Sequence, residues 1–308
     1  MLSPFQKTIV EKISFKGVGL HSGLKTGISI YPAGENSGIV FKRIDLDKNN
    51  IIKANFENVS CAKLCTTLQN KFNVTVSTVE HLLAALYITG IDNALIEVNN
   101  PEVPIMDGSS KEFVETINAT GTKNLSAKRK FLKVVKNFEL QDGKKVISIE
   151  PNADSLKVQF QLVYSNNFIG TQTNQINFAD PDLTEVYTSR TFCLFEDIEE
   201  IKKMGLAKGG SLENAVVVKD NIILNTEGLR NDKEFVNHKI LDLAGDFLLS
   251  GYRILGAVKC SQGGHSLSNL FLRAFFKDES NFVVIEQKES ISEKKYFKTP
   301  INKLAVNA

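Results

Sequence analysis

The chain contains 308 residues, a length that predicts two domains of ordinary size. A formal net charge of +2 gives no reason to expect nucleic acid or an acidic membrane as a partner. The N-terminal stretch MLSPFQKTIVEKISF lacks the apolar run of a signal peptide. No segment reaches the roughly 20 apolar residues that span a bilayer. We therefore expect a cytoplasmic protein. The motif CAKLC lacks the CxxC spacing of a structural zinc or redox site, so reduced thiols are expected.

The first part of the chain mixes strand-like runs with two helical ones. The runs TGISIYP, SGIVFKRI, NVTVST and NALIEVN are typical of strands, while residues 78–88 and about 110–119 have helical periodicity. Each helix is preceded by a Ser-x-x-Glu pattern, Ser77 to Glu80 and Ser109 to Glu112, which predicts a capping box at its start. Strands beside helices, without strict βαβ alternation, indicate an α+β domain.

A basic stretch, AKRKFLKVVKN at 127–137, separates this part from a second set of elements. It lacks the interleaved aromatic residues of a nucleic-acid site, so we interpret it as a solvated connection. The runs KKVISIEP, LKVQFQLVY and QINFA follow as predicted strands, and helices are predicted near 195–204 and 233–250. The predicted domains are therefore 1–127 and 128–308.

The helix FVNHKILDLAGDFLLSGYR carries three polar side chains on one stripe. His238, Asp242 and Asp246 are four residues apart, so neighbouring pairs lie one turn apart and can reach one ion. A surface His-Asp ion pair is the commoner explanation for such a pair taken alone.

The stretch VSTVEHLLAAL places Glu80 and His81 at the start of an apolar helix. The chain has only four histidines, and a catalytic zinc needs three protein ligands with one position left open. His81, His238 and Asp242 would supply those ligands, and Glu80 would then be free to act as a general base; the alternative for Glu80 is a simple helix cap. His265, in GGHSLSN, fits a general acid paired with Asp246, or a turn residue.

Together the motifs GVGLHSG, VSTVEHLLAALYITGIDNALIEVNNPEVPIMDGSS, SRTFCLFED, KGGSLENAVVV, FVNHKILDLAGD and GGHSLSN resemble the UDP-3-O-acyl-N-acetylglucosamine deacetylase family. The resemblance runs in order over essentially the whole chain. It implies an α+β fold of two similar domains, each a sheet packed on a pair of helices, with the active site between them. It also implies a monomeric zinc enzyme, with Fe²⁺ as an alternative ion. Its substrate would be the small molecule UDP-3-O-acyl-N-acetylglucosamine, whose acetamide is hydrolysed in lipid A synthesis.

The resemblance also assigns roles to residues of this sequence. The implied metal ligands are His81, His238 and Asp242. The implied catalytic residues are Glu80 as general base, His265 as general acid, Asp246 as the hydrogen-bonding partner of His265, and Thr191 as support for the oxyanion. The implied substrate contacts are Lys239 near the phosphates, Phe192 and Cys65, together with an inserted acyl passage at about 196–218 that offers Leu206, Ala215, Val216 and Val217 as lining.

Some residues of the matched motifs receive no role. His21 is expected near the cleft, and Glu102 and Asp107 are expected only in turns and caps. The family usually has a lysine or serine shortly before the Gly-His pair, whereas this chain reads CSQGGH, which weakens the case for a phosphate contact from that loop.

Two other functions stay open at this point. One is a zinc amidase that acts on a different amide substrate, and the other is a non-catalytic nucleotide-sugar-binding protein of the same fold. A comparison of activity on acylated and unacylated UDP-sugar would distinguish the first alternative from the deacetylase that the resemblance implies.

Overall fold

The computed structural model describes residues 3–286. The first part of the chain forms ten strands and two helices. In chain order these are β1 (Phe5–Ile9), β2 (Ile13–Val18), β3 (Lys25–Pro32), β4 (Ile39–Arg43), β5 (Ile51–Lys53), β6 (Val59–Cys61), β7 (Thr67–Gln69), β8 (Thr75–Val76), α1 (Glu80–Ile88), β9 (Ala94–Val98), α2 (Lys111–Thr120) and β10 (Thr122–Lys128).

The main sheet of this part has five strands in the order β2-β3-β9-β4-β5. Strand β9 is parallel to β4 and antiparallel to β3. Alternate residues of β9 are buried, namely Ala94, Ile96 and Val98, because one face of the sheet belongs to a hydrophobic core that includes residues of α1 and α2. Strands β6, β7 and β8 form a small separate sheet, and β1 pairs with β10.

Between residues 130 and 286 the chain forms ten strands and four α-helices. They are β11 (Lys130–Val134), β12 (Phe138–Asp142), β13 (Lys145–Pro151), β14 (Leu156–Val163), β15 (Thr171–Asn177), α3 (Thr184–Tyr187), β16 (Phe192–Leu194), α4 (Ile198–Lys203), β17 (Val216–Lys219), β18 (Ile222–Ile223), α5 (Glu234–Leu248), β19 (Arg253–Ser261), α6 (His265–Phe275) and β20 (Phe282–Glu286).

A seven-stranded sheet organises this second part around β19. Residues 256–261 of β19 pair with β13 and with β14, and residues 253–255 pair with β11. Helices α5 and α6 cover the sheet, and β16, β17 and β18 form a separate three-stranded sheet. Two sheets with a pair of helices each confirm the predicted α+β class.

Helices α1 and α5 pack directly against each other in the interior. All of α1 except Ile88 is buried, as is all of α5 except Lys239. Gly245 permits this contact, since a Cβ atom at that position would lie 2.1 Å from the carbonyl oxygen of Glu80. The polar stripe of α5 therefore faces α1 rather than solvent, and the surface ion pair is ruled out as its explanation.

The predicted capping boxes are absent. Helix α1 starts at Glu80, and the Ser77 hydroxyl donates a hydrogen bond to the Pro101 carbonyl at 3.1 Å instead of capping the helix. Thr78 turns the chain between them, with a left-handed φ of 56°. At α2, Ser109 accepts a hydrogen bond from the Lys111 N–H at 3.1 Å, but the structure shows no reciprocal Glu112 bond among residues 3–286.

The basic stretch is also more structured than predicted. It contains the end of β10 and the whole of β11, so it is not a solvated connection. Arg129 between them is 2% exposed and donates hydrogen bonds to both oxygens of Asp92 and to the carbonyls of Ser3 and Gly90. Its lysines do face solvent, because they occupy the outward positions of these strands. Within the described part of the chain, no helix is both long and apolar enough to cross a membrane.

Candidate metal centre and active site

Three helices bring the predicted site residues together. Glu80 and His81 are the first two residues of α1, and His265 is the first residue of α6. His238 and Asp242 lie one turn apart on α5. Because α1 packs on α5 and α6 follows the central strand β19, these five side chains converge although they are distant in sequence.

His81, His238 and Asp242 form a compact group of potential metal ligands. One ligand atom from each lies within 4.8 Å of the others, and all three residues are buried. Asp242 Oδ1 is 3.5 Å from His81 Nε2 and 3.4 Å from His238 Nε2. This carboxylate oxygen is buried and has no hydrogen-bond partner among residues 3–286. An unpaired buried carboxylate oxygen facing two imidazole nitrogens fits a bound cation, so these residues are compatible with a metal-dependent enzyme.

The protonation states of this group suit metal binding. Burial, chiefly, lowers the pKa of His238 to about 3, so its ring is neutral at pH 7. Its Nδ1–H donates to the Ser189 carbonyl at 3.1 Å, which leaves the Nε2 lone pair directed at the cluster. Burial works against the charge of Asp242, but the neighbouring side chains of His238, Lys239 and His265 outweigh it and hold the pKa of this carboxyl well below its usual range.

Glu80 lies beside this group without belonging to it. Its side chain is buried, and Oε2 accepts a hydrogen bond from the Thr66 N–H at 3.0 Å. Oε1 is left 3.7 Å from His265 Nε2. Burial raises the pKa of Glu80, which is the direction that makes a carboxylate a better proton acceptor.

His265 is held as a cation by its surroundings. Its Nδ1–H donates to Asp246 Oδ2 at 2.9 Å, and the Thr66 hydroxyl donates to the other oxygen of Asp246 at 2.7 Å. Burial opposes the charge on His265, but the carboxylates of Asp246, Glu80 and Asp242 outweigh it and raise the pKa of His265 to about 10. The Nε2–H of this imidazolium points towards Glu80 and Asp242, so the site contains a proton donor and a proton acceptor side by side.

Thr191 lies between two cavities, and Phe192 lies on the wall of the larger one. Thr191, directly before β16, lines both the small cavity that contains the metal-ligand group and a larger cavity of about 370 Å³. Phe192 lines the larger cavity, and its ring contacts His238 at a centroid distance of 6.3 Å. Arg190 fixes this strand to the start of α5, because its backbone N–H and its Nε both donate to the fully buried Glu234.

The larger cavity is walled mostly by apolar side chains. The segment 196–218 supplies much of its wall, including Ile198, Ile201, Leu212, Ala215 and Val217. Leu206 and Val216 do not line it, although both were expected to. Val216 points the other way from its neighbours along β17 and is fully buried in the hydrophobic core.

Lys239 lies on the wall of a cavity, whereas Cys65 does not. Lys239 Nζ is 2.9 Å from Asp242 Oδ2 and 5.6 Å from the centre of the Phe192 ring, on the wall of the metal-site cavity. Cys65 is buried outside the walls of both cavities. Burial, followed by the Glu80 carboxylate, raises the pKa of the Cys65 thiol to about 12. All four cysteines are free thiols, as predicted.

Several contacts of the site carry no signal in the sequence. Thr66 binds both Glu80 and Asp246, yet it lies in a loop with no recognisable motif. Ser189 acts through its backbone carbonyl, which any residue type supplies. Glu102 accepts three hydrogen bonds inside the protein, from His21, Ser22 and Thr78, so it does more than form a turn.

Comparison with known proteins identifies the family. A family model described as UDP-3-O-acyl N-acetylglycosamine deacetylase matches residues 6–277. A protein of Idiomarina loihiensis named UDP-3-O-acyl-N-acetylglucosamine deacetylase is 42% identical over 290 residues, which cover 92% of this chain and 94% of that protein. Proteins of the same name from Geotalea uraniireducens and Actinobacillus pleuropneumoniae serotype 3 are 44% and 37% identical, over 87% and 94% of this chain and 87% and 96% of their own lengths. The family resemblance is therefore confirmed: this chain belongs to the UDP-3-O-acyl-N-acetylglucosamine deacetylase family.

Proposed function

We propose that this protein hydrolyses the acetamide of UDP-3-O-acyl-N-acetylglucosamine, releasing acetate and the free amino sugar in the committed step of lipid A biosynthesis. One observation carries the proposal: a metal-ligand group, a buried carboxylate and a cationic imidazole line one small cavity, which shares Leu20, Leu64 and Thr191 with an apolar cavity. Amide hydrolysis needs both a base for the water and an acid for the poor leaving group. The apolar cavity supplies a place for the acyl chain of such a substrate.

The metal is proposed to be zinc, held by His81, His238 and Asp242. A bound zinc ion polarises an amide carbonyl and makes water a nucleophile near neutral pH. Two histidines and one carboxylate also suit Fe²⁺, so iron stays the alternative ion. In either case the neutral ring of His238 and the ionised Asp242 are already in their ligating forms.

Glu80 and His265 are proposed to share the proton transfers. Glu80 accepts a proton from the attacking water through Oε1, the oxygen that is not bonded to Thr66. His265 donates its Nε2 proton to the leaving nitrogen, and Asp246 keeps that imidazole charged and oriented until then. Thr191 lines the same cavity, and its hydroxyl is proposed to donate to the developing charge on the amide oxygen.

The remaining residues are proposed to position the substrate. Lys239 would face the phosphates, with Phe192 packed against the sugar end of the acyl chain. Cys65 would contribute only to the packing behind Glu80, since it is buried. We propose the domain division 1–127 and 128–308, in which each domain supplies part of the site. A monomer would suffice, because one chain holds every member of the site.

The proposal is tested by acetate release from UDP-3-O-acyl-N-acetylglucosamine, before and after treatment with a chelator. We expect the chelated protein to be inactive and about one equivalent of zinc to restore it. Parallel reconstitution with Fe²⁺ without oxygen compares the two ions. The unacylated UDP-sugar serves as the control substrate and should react far more slowly. A metal-loaded protein that releases no acetate from the acylated substrate would contradict the proposed function.

A further inference from the structure

Thr66 is a buried residue that binds two carboxylates of the site at once. It lies directly before β7 and is 2% exposed. Its backbone N–H donates to Glu80 Oε2 at 3.0 Å, and its hydroxyl donates to Asp246 Oδ1 at 2.7 Å. Glu80 belongs to α1 and Asp246 to α5, so the two bonds reach different helices. Thr66 therefore fixes the proposed base relative to the carboxylate that supports the proposed acid.

The backbone of Thr66 is itself anchored to the start of α1. Its carbonyl accepts the Val79 N–H at 3.4 Å, directly before the first residue of that helix. Thr66 thus bonds to the first turn of α1 with both its N–H and its carbonyl. Within residues 3–286 it forms no hydrogen bond with the metal-ligand group, so its contacts act on the proton-transfer groups alone.

These contacts hold two opposite charges apart at short range. His265 Nε2 and Glu80 Oε1 are 3.7 Å apart, which is longer than a hydrogen bond. Both residues are buried, so little solvent screens the attraction between the imidazolium and the carboxylate. Each group is bonded on its far side instead: His265 Nδ1–H donates to Asp246 Oδ2 at 2.9 Å, and Glu80 Oε2 accepts from Thr66. Those bonds oppose the collapse of the two charges into an ion pair.

A direct bond between His265 and Glu80 would remove both from the proposed chemistry. The Nε2 proton would be shared with the carboxylate rather than offered to a leaving nitrogen. The Oε1 atom would no longer be open to a water molecule, although a base must be within hydrogen-bond reach of the proton that it takes. A separation slightly longer than a hydrogen bond leaves the acid and the base free to meet different partners.

We propose that Thr66 is a positioning residue that keeps Glu80 and His265 from bonding to each other. It restrains Glu80 through its backbone N–H and restrains His265 through the carboxylate of Asp246. This rests on the proposed function, since it takes Glu80 as the base and His265 as the acid. The restraint matters most in the transition state, where the protons move, so its loss should lower kcat more than it raises KM.

Thr66→Val tests the side-chain part of this restraint, because it keeps the backbone N–H and the volume but removes the hydroxyl. We expect kcat for acetate release about 10- to 100-fold lower, with KM changed less than about 3-fold and zinc content unchanged. Thr66→Ser returns the hydroxyl and should recover most of kcat. Thr8→Val is the matched control, because Thr8 is also buried, donates its hydroxyl to the Asn93 carbonyl at 2.8 Å and lines neither cavity. It should melt at a lower temperature and keep the wild-type kcat.

A double substitution shows whether the Thr66 hydroxyl acts through Asp246. Asp246→Ala removes the group that the hydroxyl binds, so adding Thr66→Val to it should lower kcat by less than about 2-fold further. A further loss as large as the one in the wild-type background overturns the proposal, because the hydroxyl would then act elsewhere. Wild-type kcat in Thr66→Val also overturns it, as does a loss that Thr66→Ser does not restore.

A spectroscopic measurement separates this inference from the proposed function. In the zinc-loaded protein with isotope-labelled histidine, the nuclear magnetic resonance signal of His265 Nδ1–H reports the bond to Asp246 and needs no turnover. We expect Thr66→Val to shift this signal and Thr8→Val to leave it unchanged. If wild type releases no acetate but the signal shifts in Thr66→Val, the proposed function fails while the positioning by Thr66 stands. If wild type is active and the signal is unchanged in Thr66→Val, the inference fails by itself.

Discussion

The contact between α1 and α5 makes Gly245→Ala a sharp test of how the site is assembled. The added methyl group would lie 2.1 Å from the Glu80 carbonyl oxygen, 3.0 Å from the Glu80 carbonyl carbon and 3.1 Å from the Ala84 nitrogen. All three are backbone atoms, which cannot rotate away as a flexible side chain can. The two helices must therefore separate by roughly 1 Å to restore van der Waals contact. Such a shift would move Glu80 and His81 away from His238 and Asp242.

The expected stability effect is small because two terms oppose each other. Alanine is favoured over glycine inside a helix by about 1 kcal/mol, while overpacking a buried contact costs about 1–3 kcal/mol. We expect a melting temperature lower by a few degrees. The effect on catalysis should be larger, since a misplacement of about 1 Å can reduce turnover about 100-fold.

The assay is kcat/KM for acetate release, measured with zinc content and melting temperature. Ala244→Gly, on the same buried helix, is the matched control. It loses about 1 kcal/mol of helix propensity without adding an atom towards Glu80, so it should melt lower and stay active. Wild-type kcat/KM in Gly245→Ala would refute the reasoning that this glycine sets the spacing of the site.

Three further predictions concern the site and its support. Asp246→Asn removes the carboxylate that keeps His265 charged, so the alkaline limb of the pH profile of kcat/KM should move to lower pH; an unmoved limb would contradict that pairing. Arg253→Met removes the side chain that donates to the carbonyls of Leu86, Tyr87 and Ile91 at the end of α1. Urea unfolding should show a free energy of unfolding lower by about 3 kcal/mol or more. A decrease below about 1 kcal/mol would argue against this role. Removing the metal by chelation should lower the melting temperature, which added zinc restores, because a ligand bound only to the folded state stabilises it; equal melting of both forms would speak against a buried ion.

Much of the fold follows from periodicity in the sequence. The apolar spacing around Leu82 and Leu83 predicts α1, and that around Leu241 and Phe247 predicts α5, which the structure places at Glu80–Ile88 and Glu234–Leu248. Alternation predicts strands such as β13 and β14. These elements are predictable because their pattern reflects which face they bury.

The predictions of local detail that were wrong concern residues whose partners are distant in sequence. Ser77 has the residue type of a helix cap, but its hydroxyl bonds to Pro101 and Thr78 turns the chain. Arg129 looks like part of an exposed basic run, yet it is buried because Asp92 lies beside it in the fold. Spacing within one segment carries no information about such partners.

The candidate site was predictable as a set of residues but not as an arrangement. Histidine scarcity and the four-residue spacing on α5 single out His81, His238 and Asp242, and the structure brings those three together. The support from Thr66 and Ser189 was not predictable, since it uses backbone groups and a hydroxyl from unremarkable loops. The enclosure of His21 likewise emerges only from the folded chain, where the backbone of Lys208 and Gly209 bonds to the loop that carries it.

Glu80 is proposed to transfer a proton beside the metal without binding it. The most direct measurement is zinc binding by calorimetry together with acetate release for wild type and Glu80→Gln. The glutamine keeps an oxygen for the Thr66 N–H but is a far weaker base, so we predict unchanged zinc affinity and stoichiometry with kcat lower by about 10²- to 10⁴-fold. Loss of zinc from Glu80→Gln, or turnover at the wild-type rate, would overturn this role of Glu80.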